Sequence, residues 1–169
     1  ALVRENFGTI ENFALYYAEN SKNYVGYSFG GLVVNNRGTI KNGMVYSPQW
    51  LQAITGEYKG NTDTASTENV GGIAATNQSG ARIENVYGLM SVGVEHDKRY
   101  IEKDGKSTFN LTSGGILVGS AGGRILNSFT LGDLYEIYWK ESSNGSWGRA
   151  YNLYETYTPV GGSGTGNYK

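Results

Sequence analysis

The stretch that decides the fold reads Gly30-Gly31-Leu32-Val33-Val34-Asn35-Asn36-Arg37-Gly38-Thr39-Ile40-Lys41-Asn42. It consists of a double Gly, an apolar run and, about ten residues further on, an Ile-x-Asn. The same order returns at residues 71–85 and 114–127, residues 1–12 match residues 31–42 without a gap, and residues 160–162 begin a further copy. A pattern that recurs every few tens of residues indicates a stacked, solenoid-like array.

Each copy contains two segments with the character of β-strands: the apolar run, and the alternating stretch through the Ile-x-Asn. We therefore predict an all-β fold, a parallel β-helix or solenoid built from these repeats. Stacking would align a structural row of Ile10, Ile40, Ile83 and Ile125 in the interior, and a row of Asn12, Asn42, Asn85 and Asn127 at a corner. At such a corner the Asn amides can bond to the backbone of the next copy. Antiparallel meanders remain an alternative, since several segments could pair as hairpins.

The spacing of the copies predicts how the chain is organised. Successive Asn residues of the corner row are 30, 43 and 42 positions apart, so the later copies carry insertions. We place the repeats near residues 1–15, 30–45, 71–88 and 114–130, with another starting at 160, and the insertions at 46–69, 94–110 and 131–158. Such insertions usually form loops on one face. We expect hairpins turning at Asp104-Gly105 and Asn144-Gly145, and short helical turns at Phe13–Tyr17 and Pro48–Ile54.

Composition narrows the classes of function. The 14 basic and 15 acidic residues nearly cancel, so we expect no nucleic-acid partner. No apolar stretch approaches the roughly 18 residues of a membrane-spanning helix, so we expect no membrane insertion. The chain has no Cys, while 26 Gly and 14 Tyr favour tight bends among β-forming aromatic residues. Because both ends fall inside copies of the repeat, we expect residues 1–169 to be a single module of a larger protein.

The pattern in Gly30–Asn42 resembles the GLUG repeat of bacterial surface and secreted proteins, and residues 71–85 and 114–127 resemble it more loosely. Such repeats occur in Gram-positive adhesins and in the region preceding the catalytic domain of immunoglobulin A1-type zinc metalloproteases. The resemblance implies a secreted or cell-wall-attached bacterial protein. Catalysis in that protease family depends on a His-Glu-x-x-His helix, which this chain lacks. The resemblance thus implies a non-catalytic module, whose parent is either a protease or an adhesin.

We predict no catalytic residue, no metal site and no cofactor in this chain. His96 is its one His and lies between acidic residues, whereas zinc needs three or four ligands. The Gly-rich residues 114–123 belong to the repeat and precede no helical pattern, so they do not predict a phosphate-binding loop. One alternative is an adhesin stalk that is purely structural and binds no partner. Another is a polysaccharide-active β-helix enzyme, which needs two carboxyl groups about 5–10 Å apart. Asp133 and Glu136 are the conceivable pair.

Aromatic residues provide the positive indication of a binding function. A cluster lies in the third insertion, with one further Trp in the first, and we predict partner binding by Tyr135, Tyr138, Trp139, Trp147, Tyr151 and Trp50. Tyr and Trp dominate binding hot spots. The other interpretation is that cross-strand aromatic pairs merely hold the inserted hairpin together. A second crowded stretch contains Tyr16 and Tyr17. The expected partners are a host protein or glycan, with immunoglobulin as one candidate, and other domains of the parent chain.

Overall fold

A computed structural model describes residues 1–18, 28–48, 51–55, 69–96, 114–141, 147–153 and 161–163. Within these residues the chain is all-β, without a helix, and its strands form four sheets. The first sheet contains β1 (Val3–Asn6), β4 (Val33–Asn36), β8 (Ala74–Asn77), β12 (Val118–Ala121) and β17 (Gly161–Ser163), in that order. The second contains β2 (Thr9–Tyr16), β5 (Thr39–Tyr46), β9 (Arg82–Leu89) and, both beside β9, β13 (Arg124–Leu126) and β14 (Phe129–Leu131).

The third and fourth sheets are built from the segments that connect these strands. The third orders β3 (Ser28–Gly30), β7 (Asn69–Gly71) and β11 (Gly114–Gly115). The fourth orders β6 (Leu51–Thr55), β10 (Val92–His96), β15 (Leu134–Glu141) and β16 (Trp147–Leu153). Each of the four sheets therefore collects strands from successive copies of the repeat.

Pairing within the sheets is parallel, except that β15 and β16 are antiparallel. Parallel strands cannot be joined by a two-residue turn and need a long connection between them. Between consecutive strands of the first sheet, the described residues contribute strands to two or three of the other sheets. The antiparallel meander is therefore wrong for the repeat segments, and the expectation of an all-β fold is confirmed for the described residues.

The register of the second sheet brings together the Ile residues of the repeat. Ile10 lies opposite Ile40, Ile40 opposite Ile83, and Ile83 opposite Ile125. Ile40, Ile83 and Ile125 are buried, while Ile10, on edge strand β2, is half-buried. Full burial of an aliphatic side chain of this size stabilises by about 1.5–3 kcal/mol. This row is one wall of the core.

A single hydrophobic core lies between the sheets. It includes Val33 from the first sheet, Ile83 from the second, Phe29 from the third and Val92 from the fourth. All four side chains are completely buried. The four sheets therefore enclose the same interior.

The Asn row occupies a corner of the second sheet, where Asn12, Asn42 and Asn85 lie within long strands and Asn127 lies between β13 and β14. Asn12, Asn42, Asn85 and Asn127 have φ angles of 56°, 53°, 52° and 45°, and among the described residues they are the non-Gly residues with positive φ. Asn tolerates this left-handed conformation better than most residues. In β2, the left-handed residue Asn12 interrupts the alternation of inward and outward side chains. Ile10 and Phe13, three positions apart, therefore both pack against the core. The side chains of the row also bond to each other, since Asn85 Nδ2 donates to Asn42 Oδ1 at 3.0 Å.

The double Gly has a steric cause. A Cβ built on Gly30 would overlap the carbonyl oxygen of Val33, and one on Gly71 would overlap that of Ala74. Neither overlap is with a flexible side chain, so the backbone itself would have to move. The repeat therefore requires Gly where the third sheet turns into the first.

The insertions begin with strands of the fourth sheet. β6 pairs with β10, and β10 pairs with β15, although these segments share no obvious motif. The helical turns expected at Phe13–Tyr17 and Pro48–Ile54 are wrong, because these segments contribute to β2 and β6, whose alternating backbone pairs with neighbouring strands. The hairpin of the third insertion is present as β15 and β16, while the turns at Asp104-Gly105 and Asn144-Gly145 lie outside the described residues.

Candidate partner-binding face

The aromatic residues predicted to bind a partner lie on the hairpin of the fourth sheet. Tyr135, Tyr138 and Trp139 belong to β15, and Trp147 and Tyr151 belong to β16. The backbone register places Trp139 opposite Arg149 and Glu141 opposite Trp147. The side chains of this hairpin, and the whole of Trp50, lie outside what the structure describes. Binding by these residues stays a prediction.

A different aromatic surface lies on the outward side of the second sheet, after the Asn corner. Two rows of outward residues run across the strands, one of Ala14, Met44, Tyr87 and Phe129, the other of Tyr16, Tyr46, Leu89 and Leu131. We call these eight residues the aromatic face. None of them carries a charge. Apart from Leu2 and Phe7, every large hydrophobic side chain that is exposed among the described residues belongs to this face.

The rings of the aromatic face contact one another along each row. Tyr16 and Tyr46 stack with ring centroids 5.3 Å apart and planes inclined by 23°. Tyr87 and Phe129 lie 4.6 Å apart with planes inclined by 38°. Both separations fall in the range of favourable aromatic pairs. Stacking covers one face of each ring in a pair, and Tyr16, on edge strand β2, is still 61 % exposed.

The size of the aromatic face is that of a functional patch. Its five most exposed members, Tyr16, Tyr46, Tyr87, Phe129 and Leu131, retain between 36 and 65 % of their accessible surface. At roughly 200 Å² for a side chain of this kind, they expose about 500 Å² in total. The largest apolar patch on a typical monomer is about 300–600 Å² and often marks an interaction site. The aromatic face reaches that size with five side chains alone.

Charged residues adjoin the aromatic face across the Asn corner, and they are paired. Lys41 Nζ lies 2.9 Å from Glu11 Oε2, and Arg82 Nε lies 3.0 Å from Glu84 Oε2. Exposed ion pairs of this kind contribute little stability, typically below about 1 kcal/mol. They form a polar margin along one side of the uncharged face. An apolar centre with a polar rim is the usual anatomy of a protein–protein interface.

A row of buried Asn side chains lies on the other side of the repeat, between the first and second sheets. Asn6 Nδ2 donates to Asn36 Oδ1, and Asn36 Nδ2 donates to Asn77 Oδ1, each at 2.8 Å. Each Nδ2 also donates at 3.3 Å to a backbone carbonyl of the next copy, namely that of Thr39, Arg82 or Arg124. We call Asn6, Asn36 and Asn77 the amide ladder. Bonds to the backbone of the next copy, which we expected of Asn12 and its equivalents, are made in the described residues by Asn6, Asn36 and Asn77.

The amide ladder has a direction. Each side chain in it donates toward the C-terminal copy, and Asn36 and Asn77 each accept from the copy before them. It ends at Ala121, which is the register partner of Asn77 and has no amide. Buried polar groups of this kind are costly unless they are satisfied, so the ladder requires the copies to stack in one register.

Two ionisable groups beside these surfaces have altered pKa values. A hydrogen bond from Asn35 Nδ2 to Glu5 Oε1, 2.7 Å long, lowers the pKa of Glu5, and Arg37 lowers it further. Burial raises the pKa of Tyr17, whose hydroxyl donates to the carbonyl oxygen of Gly31. Neither group faces another titratable residue in the manner of an acid–base pair. Both are explained by contacts that hold neighbouring copies together.

Among the described residues, few side chains are placed to hold a metal ion or to act as an acid–base pair. The described residues contain no cluster of three His, Cys, Asp or Glu residues that could hold a metal ion. His96 ends β10 and its side chain lies outside the description, as does that of Glu136. Asp133 bonds through its backbone, since its N–H donates to Ser91 Oγ and its carbonyl accepts from Val92 N–H. In the part of the chain that is described, no helix has the length and apolarity to cross a membrane.

Comparison of the chain with models of protein families, with curated proteins and with solved structures finds no match.

The sequence did not single out the aromatic face, apart from Tyr16, which lies in a crowded aromatic stretch. The available signal is the four residues after each corner Asn: Phe13–Tyr16, Gly43–Tyr46, Val86–Leu89 and the corresponding segment that ends at Leu131. Their second and fourth positions are mostly large and apolar, although the residue types differ from copy to copy. Aligning the copies by structure is what turns them into two rows.

Proposed function

We propose that this chain is a non-catalytic β-solenoid module, built from GLUG-like repeats, of a large secreted or cell-wall-attached bacterial protein. It spaces other domains and binds a protein partner through the aromatic face. Parallel, in-register pairing of equivalent repeat positions supports the solenoid. The uncharged aromatic face supports the binding function, and this face is the single observation that carries the proposal.

A protein partner fits the aromatic face better than a glycan does. The exposed surface is rich in Tyr, Phe, Met and Leu and has no charge, which matches the centre of protein–protein interfaces. Apart from the Tyr hydroxyls, the side chains of the face offer no strong hydrogen-bonding group to the hydroxyls of a glycan. The exposed area of the aromatic face, about 500 Å², is smaller than the roughly 800 Å² that each partner buries in a standard interface. The adjoining ion pairs would complete the contact as its rim.

The resemblance to the region that precedes the catalytic domain of immunoglobulin A1-type zinc metalloproteases suggests a candidate partner. If the parent protein is such a protease, this module holds immunoglobulin for a distant zinc site. If the parent is an adhesin, the same face holds a host surface protein. In both cases the module itself cleaves nothing.

The test is a binding measurement against a panel of host glycoproteins that includes immunoglobulin A. Substituting Tyr46 and Tyr87 with Ser should weaken binding at least tenfold, since aromatic hot spots each contribute about 2 kcal/mol or more. Phe7→Ser is the matched control, because Phe7 is an exposed aromatic residue outside the face. Equal binding by the double variant and the control would refute the role of the face. Loss of binding after enzymatic removal of the partner's glycans would indicate glycan recognition instead.

The hairpin prediction is tested in the same assay. Trp139→Ala and Trp147→Ala should reduce binding if the hairpin supplies a second contact. Unchanged binding would leave the hairpin as a structural element whose aromatic residues pack against each other.

A further inference from the structure

The β1–β2 end of the proposed solenoid carries features that only a neighbouring coil explains. β1 pairs on one side with β4, and β2 pairs on one side with β5. Within the described residues their other sides have no partner strand. Exposed strand edges are templates for pairing with further polypeptide, and proteins usually block them with charge, Pro or a covering segment.

Gly8 is the most specific of these features. A Cβ on Gly38 would overlap the carbonyl oxygen of Gly8 in the preceding copy, so stacking requires Gly at position 38. Gly8 is the equivalent residue of the first copy, yet a Cβ on Gly8 would have no atom within 4 Å. Its φ is not positive either, so its own backbone does not require Gly. The sequence keeps at position 8 a residue that is needed only when another coil lies against it.

The amide ladder is open at the same end. Asn36 Oδ1 accepts from the Asn6 amide and from Gly38 N–H, whereas Asn6 Oδ1 accepts from Gly8 N–H alone among the described residues. In the later copies the equivalent acceptor also receives the Nδ2 donor of the preceding copy. Asn6 Oδ1 suits an Nδ2 donor from one more Asn of the ladder.

At this end the backbone also has fewer hydrogen bonds, and the apolar residues are less buried, than at the equivalent positions of the next copy. Thr39 N–H donates to the Gly8 carbonyl at 2.9 Å, but the equivalent N–H of Thr9 has no acceptor among the described residues. Ile10 and Leu15 are half-buried, while their register partners in β5 are buried. One additional coil would bury these side chains and bond this N–H.

We propose that the β1–β2 end is a docking site for one further parallel coil of the same repeat, which supplies an Asn at the ladder position. The direction of the ladder argues against a second copy of this chain as the occupant. Two β1–β2 ends would bring acceptor against acceptor, and the opposite end of the ladder is Ala121, which has no donor amide. The inference rests on the proposed solenoid architecture.

The experiment compares the 169-residue chain with an extended chain that carries a duplicate of residues 1–30 before Ala1. The duplicate continues the repeat in frame, because residues 1–12 match residues 31–42 without a gap. Docking of the duplicate should slow hydrogen exchange of the Thr9 and Phe7 amides at least tenfold. It should also raise the melting temperature.

Gly8→Ala is the decisive variant, and Gly38→Ala is its control. In the 169-residue chain, Gly38→Ala should lower the melting temperature by at least about 5 °C, and Gly8→Ala by no more than about 1 °C. In the extended chain, Gly8→Ala should become as harmful as Gly38→Ala, because its Cβ now meets the carbonyl of the added coil.

The outcomes separate the two proposals. If Gly38→Ala is harmless in the 169-residue chain, the solenoid architecture itself is wrong. If Gly38→Ala is harmful but the extended chain shows neither slower exchange at Thr9 nor sensitivity to Gly8→Ala, only the docking site is wrong. A dimer of the 169-residue chain in sedimentation, converted to monomer by Gly8→Ala, would identify a second copy as the occupant and overturn the proposal.

Discussion

Replacing Asn36 with Ala removes the central member of the amide ladder. Its side chain is completely buried and takes part in four hydrogen bonds. It donates to Asn77 Oδ1 and to the Arg82 carbonyl, and it accepts from Asn6 Nδ2 and from Gly38 N–H. Ala can replace none of these bonds, and the space it leaves is lined by the groups that lose them.

The expected loss of unfolding free energy is about 3–5 kcal/mol. A net contribution of about 0.5–1 kcal/mol for each of the four hydrogen bonds gives about 2–4 kcal/mol, and the buried oxygen of Asn77 left without its donor adds about 1 kcal/mol. For a chain of this size, 1 kcal/mol corresponds to about 2–4 °C, so the melting temperature should fall by about 10 °C.

Asn35→Ala is the matched control, since Asn35 is the same residue type one position earlier. Its side chain points outward and donates to Glu5 at the surface. The control should cost less than about 1 kcal/mol. Unfolding in urea, followed by circular dichroism, gives both values. Equal losses for Asn36→Ala and Asn35→Ala would refute the reasoning, because burial of the ladder would then contribute nothing.

The remaining predictions concern burial, backbone conformation and pH. Ile83→Ala should cost about 3–4 kcal/mol in urea unfolding and Ile10→Ala less than half of that, because Ile83 is enclosed by neighbouring copies and Ile10 is not. Asn85→Ala should lower stability by about 1 kcal/mol and Asn85→Gly by much less in thermal melts, because φ at this residue is positive. The pKa of Glu5 is lowered in the folded state by its bond from Asn35, so its stabilisation is present above the ordinary value of 4.5 and is lost as pH falls through the folded-state pKa. Melts from pH 7 to pH 3 should therefore show a smaller decline for Glu5→Gln than for the parent chain.

Sequence could anticipate the rows of Ile and Asn because each is an identical letter at an identical place in every copy. The position of Asn12 and its equivalents also has a simple physical requirement, a left-handed backbone, that one residue type satisfies well. Repetition of a residue and a demand on backbone conformation are both visible in a linear pattern.

The amide ladder could not be read in the same way. Asn36 recurs as Asn6 and Asn77 in the other copies, whereas Asn35 does not, but a recurring Asn fits an exposed turn equally well. A buried Asn is also against expectation, since polar residues are usually exposed unless they are fully bonded. Only the stacking of three copies supplies the partners that make its burial favourable.

The aromatic face and the fourth sheet were hidden for different reasons. The face is apolar in every copy but uses different residues, such as Tyr46 in one and Leu89 in the next. The strands of the fourth sheet lie in segments that differ in length and composition, so sequence alone treats them as loops. In both cases, only the pairing register between distant segments shows which residues lie side by side.

Cysteine cross-linking between Lys41 and Glu84 is the most direct test of the stacked register. The chain has no native Cys, and these two residues are register partners in neighbouring parallel strands. Parallel strands lie about 4.8 Å apart, within the range that a disulfide spans, whereas a pair displaced by two residues is about 7–8 Å apart. We expect that Lys41→Cys/Glu84→Cys oxidises readily within the folded monomer and that Lys41→Cys/Arg82→Cys does not. Preferential cross-linking of the displaced pair, or none in either, would contradict the account.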